Sequence, residues 1–445
     1  MVKADFGADF QWGVSTAAFQ TEGAWDAYGK GPSIWDAFTH RKGKIKNNDR
    51  ADVACDFYHR YREDVAFVKQ MHIPNFRFSL SWPRIFPNGI GTPNDKGLDF
   101  YDRLIDHCLA QGITPWVTLY HWDLPQALQD RGGWTNRDVL SWLSDYAACV
   151  AKRYGDRVKH WMVLNEPTVF TGAGYFFGVH APGLRGLRNF FAAAHHAALA
   201  MGQVGRLLRS AIPDAAIGST FSCSSIHPAS SRRRDVEAAK RADALINRLF
   251  IEPVLGMGYP VADLPALTGM GKYMQVGDDA LLPFDFDFIG IQNYTREVVR
   301  HSFFVPYLKA RILTAKRRGV HPITEMGWEV YPESIYEMIE KFSAYPNVPK
   351  LYVTENGAAF ADTVVNGGVA DQQRVQYLQS HLAQVLRAKQ AGHHVHGYFV
   401  WTLTDNFEWS EGYHPRFGLV HTDFKTQRRM LKDSGKWYGQ FLSSQ

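Results

Sequence analysis

The chain has 445 residues, of which 45% are hydrophobic and 21% are charged, as is typical of a globular protein. This composition excludes a disordered chain, a collagen-like repeat and a small disulfide-linked scaffold. The 49 basic and 44 acidic residues leave a formal net charge of +5, which is weak for a chain of this length. Aromatic residues make up 14% and include 13 tryptophans, which suit a site for flat amphipathic ligands such as sugars.

Strand candidates rich in β-branched and aromatic residues recur along the whole chain, at residues 10–16, 76–81, 114–120, 160–164, 216–221, 286–292, 350–353 and 396–403. Amphipathic segments of helical period lie between or after them, at 51–71, 97–111, 136–154, 189–210, 235–250, 370–391 and 426–442. Continuous apolar strands such as FDFIGI are expected where helices cover a parallel sheet. Eight strands alternating with about eight helices predict a single (β/α)8 TIM barrel over residues 1–445. The longest irregular stretch, 294–332, is interpreted as an insertion that shapes a pocket.

Two basic clusters stand out, the consecutive arginines Arg232 to Arg234 and the stretch 309–318. Neither lies in a helix-turn-helix or zinc-finger pattern, so we interpret both as solvated surface and predict no nucleic-acid partner. The amino-terminal residues contain no apolar segment of the signal-peptide type, and no run approaches the length of a membrane span. The sequence therefore predicts a cytoplasmic protein without a membrane partner.

Metal and nucleotide chemistry find little support in the sequence. The four cysteines are far apart and form no C-x-x-C pair, which argues against a disulfide or a metal site. The pairs His195-His196 and His393-His394 lack an accompanying carboxylate-histidine pattern. No glycine-rich loop that could hold a phosphate opens a helix. We therefore expect neither a metal nor a cofactor.

Polar and aromatic residues follow the predicted strands at their carboxyl ends. Those ends form one rim in a TIM barrel, so the residues should converge into a pocket for a polyhydroxylated ligand. Glu166 and Glu355 each stand beside an asparagine after an apolar strand, which makes them the candidates for catalysis. The full candidate set is Gln20, Arg77, His121, Trp122, Asn165, Glu166, Asn293, Tyr294, Glu355, Trp401, Glu408 and Trp409.

Six motifs occur in a characteristic order, namely FQWGVSTAAFQTEGAW, FRFSLSWPRIFPNG, TLYHWDLPQAL, NEP, YVTENG and DNFEW. Together they resemble glycoside hydrolase family 1, which includes β-glucosidases and β-galactosidases, over essentially the whole chain. The resemblance implies that Glu166 is the general acid/base and Glu355 the nucleophile of a retaining mechanism. It implies that Arg77 and Tyr294 flank the nucleophile. It also implies sugar contacts for the remaining motif residues, with Trp401 as the platform: Gln20, His121, Asn165, Asn293, Glu408 and Trp409.

The chemistry of glycoside cleavage agrees with this pair of carboxylates. One carboxylic acid protonates the leaving oxygen, and a second carboxylate attacks the oxocarbenium-like centre. Arg77 is expected to lower the pKa of Glu355, and the negative Glu355 to raise the pKa of Glu166. The intact Glu408 is typical of members that act on neutral sugars rather than 6-phosphates, and Glu166 is the residue that plant thioglucosidases lack.

The sequence thus predicts a retaining β-glucosidase that removes terminal β-D-glucosyl residues from small β-glucosides and short β-linked oligosaccharides. A β-galactosidase, or a broad β-glycosidase or transglycosidase using the same site, remains an alternative. A non-catalytic sugar-binding barrel is a more remote one, because such a protein would be expected to lose one of the two glutamates. Thr168 stands where many members carry tryptophan, which leaves the preference for the leaving group open.

Overall fold

The computed structural model describes residues 1–346, 348–365 and 367–444. Eight parallel strands form a closed barrel, and their order around the barrel follows the chain. The last strand closes on the first, with Ser15 beside Trp401. The strands are β1 Gln11–Ser15, β2 Asn75–Ser79, β3 Thr114–Tyr120, β4 His160–Asn165, β5 Ala216–Ser222, β6 Phe288–Gln292, β7 Lys350–Asn356 and β8 Val395–Trp401. The predicted TIM barrel is confirmed, with strand ends shifted by a few residues.

Helices cover the outside of the barrel. Those of 11 residues or more, one after each strand, are Phe57–Gln70, Asp95–Ala110, Val139–Tyr154, Leu187–Ala211, Arg233–Asp243, Glu333–Ser343, Gln372–Gln390 and Asp433–Ser443. Shorter α-helices are Ala18–Thr21, Ile34–Thr39, Trp82–Ile85, Gln126–Gln129, Pro167–Thr171, Ile251–Val254, Asp278–Leu281 and Ala315–Arg318. The 3₁₀ segments are Lys3–Phe6, Lys46–Asn48, Gly133–Thr135, Pro265–Lys272 and Trp409–Glu411, and the π-helical ones are Gly172–Phe177 and Ala244–Arg248.

The sequence had indicated that the stretch 294–332 is irregular, and the structure corrects this prediction. The stretch contains an antiparallel hairpin of Arg296–His301 and Ala310–Ile312, and the strand Ser225–Pro228 pairs with its first arm. The other small sheets pair Thr363–Val365 with Gly368–Ala370 and Val420–Thr422 with Arg429–Leu431.

The prediction of helices also needs two corrections. The helix Glu333–Ser343 was missed, although Ile335, Met338, Ile339 and Phe342 form its buried face. The terminal helix begins at Asp433 rather than at residue 426, because the preceding residues pair as a strand. Gln427 has a φ of 59°, a left-handed conformation that a helix cannot include.

An apolar cluster fills the barrel interior below the carboxyl rim. It consists of Trp116, Met162, Phe288, Tyr352 and Phe399, one residue from each of five strands. Gly13 makes room for this cluster, since a Cβ there would lie 2.1 Å from the Phe399 ring. Such layers make the barrel a packed core, so a ligand can enter only at its rim. Within the described residues, no helix is both long and apolar enough to cross a membrane.

Candidate functional site

A cavity of about 320 Å³ lies at the carboxyl end of the barrel. Most residues that the sequence nominated for the site line this cavity, because the ends of parallel strands meet there. They are His121, Trp122, Glu166, Tyr294, Glu355, Trp401, Glu408 and Trp409. The other four nominated residues are fully buried behind its wall: Gln20, Arg77, Asn165 and Asn293.

Glu355 lies near the end of β7, and three donors hold its carboxylate. Arg77 Nη1 lies 2.5 Å and Gln292 Nε2 2.7 Å from Oε1, while the Tyr294 hydroxyl donates to Oε2 at 2.6 Å. The register of β7 against β6 shifts between Val353 and Glu355. Such an irregularity re-aims side chains, and here it accompanies a glutamate that faces the barrel axis. The carboxylate is therefore fixed in one orientation.

Burial and the neighbouring donors act in opposite directions on Glu355. Burial raises its pKa above the ordinary value, whereas the Arg77 guanidinium and the Tyr294 hydroxyl lower it. The sequence had anticipated only the second influence. Because three donors favour the charged form, we assign Glu355 as the ionised member of the carboxyl pair.

Glu166 follows β4 directly and begins the helix Pro167–Thr171. Its φ of 45° lies in the left-handed region, which a glutamate adopts only at a conformational cost. Burial raises the pKa of Glu166 well above its ordinary value, and the negative charge of Glu355 raises it further. The pair therefore holds its proton on Glu166, and it consists of one acid and one carboxylate at neutral pH.

Aromatic rings form one wall of the cavity. The ring centres of His121 and Trp401 lie 6.0 Å apart, and those of His121 and Trp409 lie 5.8 Å apart, in stacked arrangements. Trp122 packs on Trp409 with ring centres 4.4 Å apart, and its indole donates to the Asn165 carbonyl at 2.8 Å. Flat indole faces of this kind suit the apolar face of a sugar ring.

His121 is a neutral donor at this wall. Burial, together with the charge of Arg77, holds its pKa well below the ordinary value. The Asn165 side-chain oxygen accepts from Arg77, Thr220 and Gln292, so its amide must donate to His121 Nε2, 2.9 Å away. The proton of the ring then sits on Nδ1, which is buried and has no partner among the described residues. A ligand oxygen could accept from it.

Glu408, the fourth residue of the motif DNFEW, lines the cavity beside Trp401 and Trp409. Gln20 Nε2 lies 3.4 Å from its Oε2 and also donates to the Phe407 carbonyl at 3.0 Å. Burial and the charge of Glu355 raise the pKa of Glu408 to about 8. The Gln20 side-chain oxygen is buried and unpaired within the described part of the chain. Together with the His121 donor, these atoms suit a ligand that both donates and accepts hydrogen bonds.

The amide beside Glu355 comes from Gln292, which is not among the residues predicted from the sequence, and not from Asn293. Asn293 instead donates to Cys223 O at 3.0 Å and to Ser334 Oγ at 2.9 Å. Consecutive residues at the end of a strand point to opposite faces, so only one of the two can face the barrel axis. The alternation along β6 could have indicated Gln292, since Gly290 and Phe288 face inward with it.

The individual residues of the outer cavity were not predicted, although the stretch 294–332 was expected to shape a pocket and supplies three of them. The outer cavity is lined by Val169, Glu297, Met326, Trp328 and Phe417. Burial raises the pKa of Glu297 to about 7. Thr168 itself does not line the cavity, and its neighbour Val169 does. Met326, Trp328 and Phe417 come from loops, Val169 from the helix Pro167–Thr171 and Glu297 from the strand Arg296–His301.

One cluster has the composition of a metal site, with ligand atoms of Asp362, Asp405 and His421 within 4.8 Å of one another. Lys432 already donates to both aspartates, at 2.6 Å from Asp405 Oδ1. Arg416 donates to the other oxygen of Asp405 at 3.1 Å. Because protein cations occupy this space, we assign the cluster to a buried ion-pair network.

Comparisons with known proteins agree with this geometry. Residues 2–445 match the family described as glycosyl hydrolase family 1. The chain is 43% identical to β-glucosidase A of Thermotoga maritima over 99% of its own length and 98% of that protein. It is 40% identical to a β-glucosidase of an Agrobacterium species, over 99% and 96% of the two chains. It also superimposes on the T. maritima β-glucosidase in complex with deoxynojirimycin with a TM-score of 0.94, at 42% identity and 98% coverage of each chain.

Proposed function

The chain belongs to glycosyl hydrolase family 1, and on that basis we propose that it is a retaining β-glucosidase acting on terminal β-D-glucosyl residues. The observation that carries the proposal is the unequal pair of carboxyl groups in one cavity. Three donors stabilise the anion of Glu355, whereas burial and the Glu355 charge keep Glu166 protonated. A retaining glycosidase needs one nucleophile and one acid, with carboxyl groups about 5–5.5 Å apart.

In the first step, Glu355 attacks the anomeric carbon while Glu166 protonates the leaving oxygen. The bond from the anomeric carbon to that oxygen breaks, and a glycosyl ester to Glu355 forms with inverted configuration. Tyr294 and Gln292 hold the attacking carboxylate, and Arg77 compensates its charge. The aglycone leaves as a neutral alcohol.

Formation of the ester removes the negative charge of Glu355. Because that charge raises the pKa of Glu166, the loss makes Glu166 a stronger acid, and it ionises. The Glu166 carboxylate then accepts a proton from water, which attacks the anomeric carbon and restores the β configuration. One pair of side chains thus serves both half-reactions.

We assign the glucosyl ring to the inner wall of the cavity. Trp401 supplies the platform, His121 Nδ1 donates to a hydroxyl oxygen, and Gln20 and Glu408 accept from hydroxyl groups. The buried, unpaired atoms of His121 and Gln20 support this placement. A β-galactosidase is the alternative, and its substrate differs from a glucoside in the direction of a single hydroxyl group. Values of kcat/KM for a matched series of aryl glucoside, galactoside and fucoside distinguish the two activities.

The roles of the two glutamates are tested by alanine variants and azide. In Glu166→Ala, formation of the ester from 2,4-dinitrophenyl glucoside should continue, because this leaving group needs no proton, while hydrolysis of an alkyl glucoside should collapse. Azide can attack the ester without giving up a proton, so it should restore turnover and release the β-glycosyl azide. Glu355→Ala should lose several orders of magnitude on every substrate and give the α-azide.

The anomeric configuration of the azide product, determined by NMR, decides between the assignments. An α-azide from Glu166→Ala, or a β-azide from Glu355→Ala, would show that the two roles are reversed. Glu411→Ala serves as a control, since this rim carboxylate lines the same cavity but is about half exposed. Azide should not alter its products.

A further inference from the structure

An aromatic loop projects from the hairpin that follows β6. The loop spans residues 302–309, between the strands Arg296–His301 and Ala310–Ile312. Phe303 is 78% exposed, Phe304 96% and Tyr307 61%. Large apolar side chains grouped on a projecting loop are unusual on a protein surface and mark a contact site.

Cations surround this loop. Arg300 lies directly opposite Arg311 in the antiparallel register, and both side chains are exposed. Like charges directly opposite one another destabilise a hairpin. Neither arginine, nor the exposed Lys309, forms an ion pair within the described residues. Asp235 lies close enough to Arg300 for that charge to help lower its pKa, so one carboxylate partly offsets these cations and the hairpin keeps a net positive charge.

The other basic cluster, Arg232 to Arg234, lies against the same hairpin, although it is some 70 residues away in sequence. Arg232 to Arg234 are exposed at the start of the helix Arg233–Asp243, which packs on the hairpin. Asp235 of this helix accepts from the backbone amide of His301 at 2.9 Å. The fold thus joins the two clusters that the sequence had indicated as separate solvated faces.

The loop lies on the same side of the barrel as the cavity. The hairpin leaves the carboxyl end of β6, and its first residues, Thr295 and Glu297, line the outer cavity.

We propose that the loop 302–309 and the arginines around it dock this protein on the surface of a bilayer that contains anionic lipids. Phenylalanine rings that project from a convex loop can enter the headgroup region, and arginines beside them bind the lipid phosphates. A duplex nucleic acid would satisfy only the cations, whereas a single strand would also stack bases on the rings. Neither basic cluster lies in a nucleic-acid-binding pattern, which favours the bilayer, and an oligonucleotide is the competing ligand in the test. This binding is independent of the proposed hydrolysis.

Co-sedimentation with lipid vesicles tests the proposal. The full chain should bind vesicles of phosphatidylglycerol and phosphatidylcholine in low salt, bind pure phosphatidylcholine far more weakly, and dissociate as salt is raised. The double variant F303S/F304S should lower the partition coefficient by about tenfold or more, because two rings no longer enter the interface. R300E/R311E should lower it by about a hundredfold, because four units of charge are reversed.

Matched variants elsewhere on the surface control for general effects. V276S removes another fully exposed apolar side chain, and K42E/K272E reverses two other exposed lysines. Both should bind the vesicles like the unaltered chain. All variants should keep the same midpoint of thermal unfolding, which verifies the fold without relying on enzyme activity.

Two results would overturn the proposal. The first is absence of binding to the anionic vesicles by the unaltered chain in low salt. The second is vesicle binding that does not depend on Phe303 and Phe304, or a single-stranded oligonucleotide bound as tightly as the anionic vesicles. That outcome would identify a site for polyanions in general rather than for a bilayer.

Discussion

The replacement Glu408→Gln tests the electrostatics of the cavity wall that we propose binds the sugar. Glutamine has the same shape as glutamate and no charge, so the change removes only the ability to become an anion. In the free protein, burial and the charge of Glu355 raise the pKa of Glu408 to about 8. Sugar hydroxyl groups that donate to this carboxylate stabilise the anion, so substrate binding should lower that pKa and release a proton below pH 8.

The expected magnitude follows from two opposing contributions. Hydrogen bonds to a buried carboxylate are worth about 2–4 kcal/mol in the transition state. Below pH 8 the anion must first be formed, at a cost of about 1.4 kcal/mol per pH unit. The ratio of kcat/KM between the unaltered enzyme and Glu408→Gln should therefore be roughly 30-fold to 900-fold above pH 8. It should fall by up to about tenfold per pH unit towards pH 6.

Steady-state hydrolysis of an aryl glucoside between pH 6 and pH 9 measures this ratio. Taking the ratio removes the titration of Glu166 and Glu355 to first order, because both enzymes contain these residues. Glu411→Gln, at the half-exposed rim of the cavity, is the matched control. Because the charge of Glu411 contributes to the raised pKa of Glu408, its ratio should stay close to one and vary with pH much less than that of Glu408→Gln. A large but pH-independent ratio for Glu408→Gln would show that Glu408 is already ionised in the free enzyme. A ratio near one throughout would show that it does not contact the sugar.

Three further changes have defined outcomes. Tyr294→Phe removes the hydroxyl 2.6 Å from Glu355, so the pKa of Glu355 should rise. The acidic limb of the pH profile of kcat/KM should then move up by about 1–2 pH units. A limb that does not move would contradict the contact. Glu297→Leu should lower kcat/KM for cellobiose by about fivefold and leave 2,4-dinitrophenyl glucoside nearly unchanged, whereas equal losses would place Glu297 among the groups that affect the chemical step. Lys432→Met leaves Asp405 without its main cation and should lower the free energy of unfolding by about 3–5 kcal/mol in urea titrations; a change below about 1 kcal/mol would refute this.

The sequence alone determined the architecture and the rim of the site, because both depend on local patterns. Strand and helix periods are set by neighbouring residues, and their eightfold alternation was sufficient to predict the barrel. A motif at the carboxyl end of a strand belongs to the rim wherever the rest of the chain lies. That rule located Glu166 and Glu355 without any knowledge of the distance between them.

Local patterns were insufficient where a side chain or segment is fixed by distant partners. The sequence predicted Asn293 as a site residue, but the pleat of β6 turns Gln292 toward Glu355. The hairpin at 296–312 was missed because its first strand alternates only weakly and gains stability from the strand Ser225–Pro228, some 70 residues earlier.

Only the tertiary structure decided how charge is distributed. Burial raises the pKa values of Glu166, Glu355 and Glu408, and burial depends on strands and loops contributed by the whole chain. The two basic clusters likewise form one surface only because a helix after β5 packs on a hairpin after β6. A sequence pattern identifies which groups can ionise, whereas their surroundings in three dimensions determine when they do and what they face.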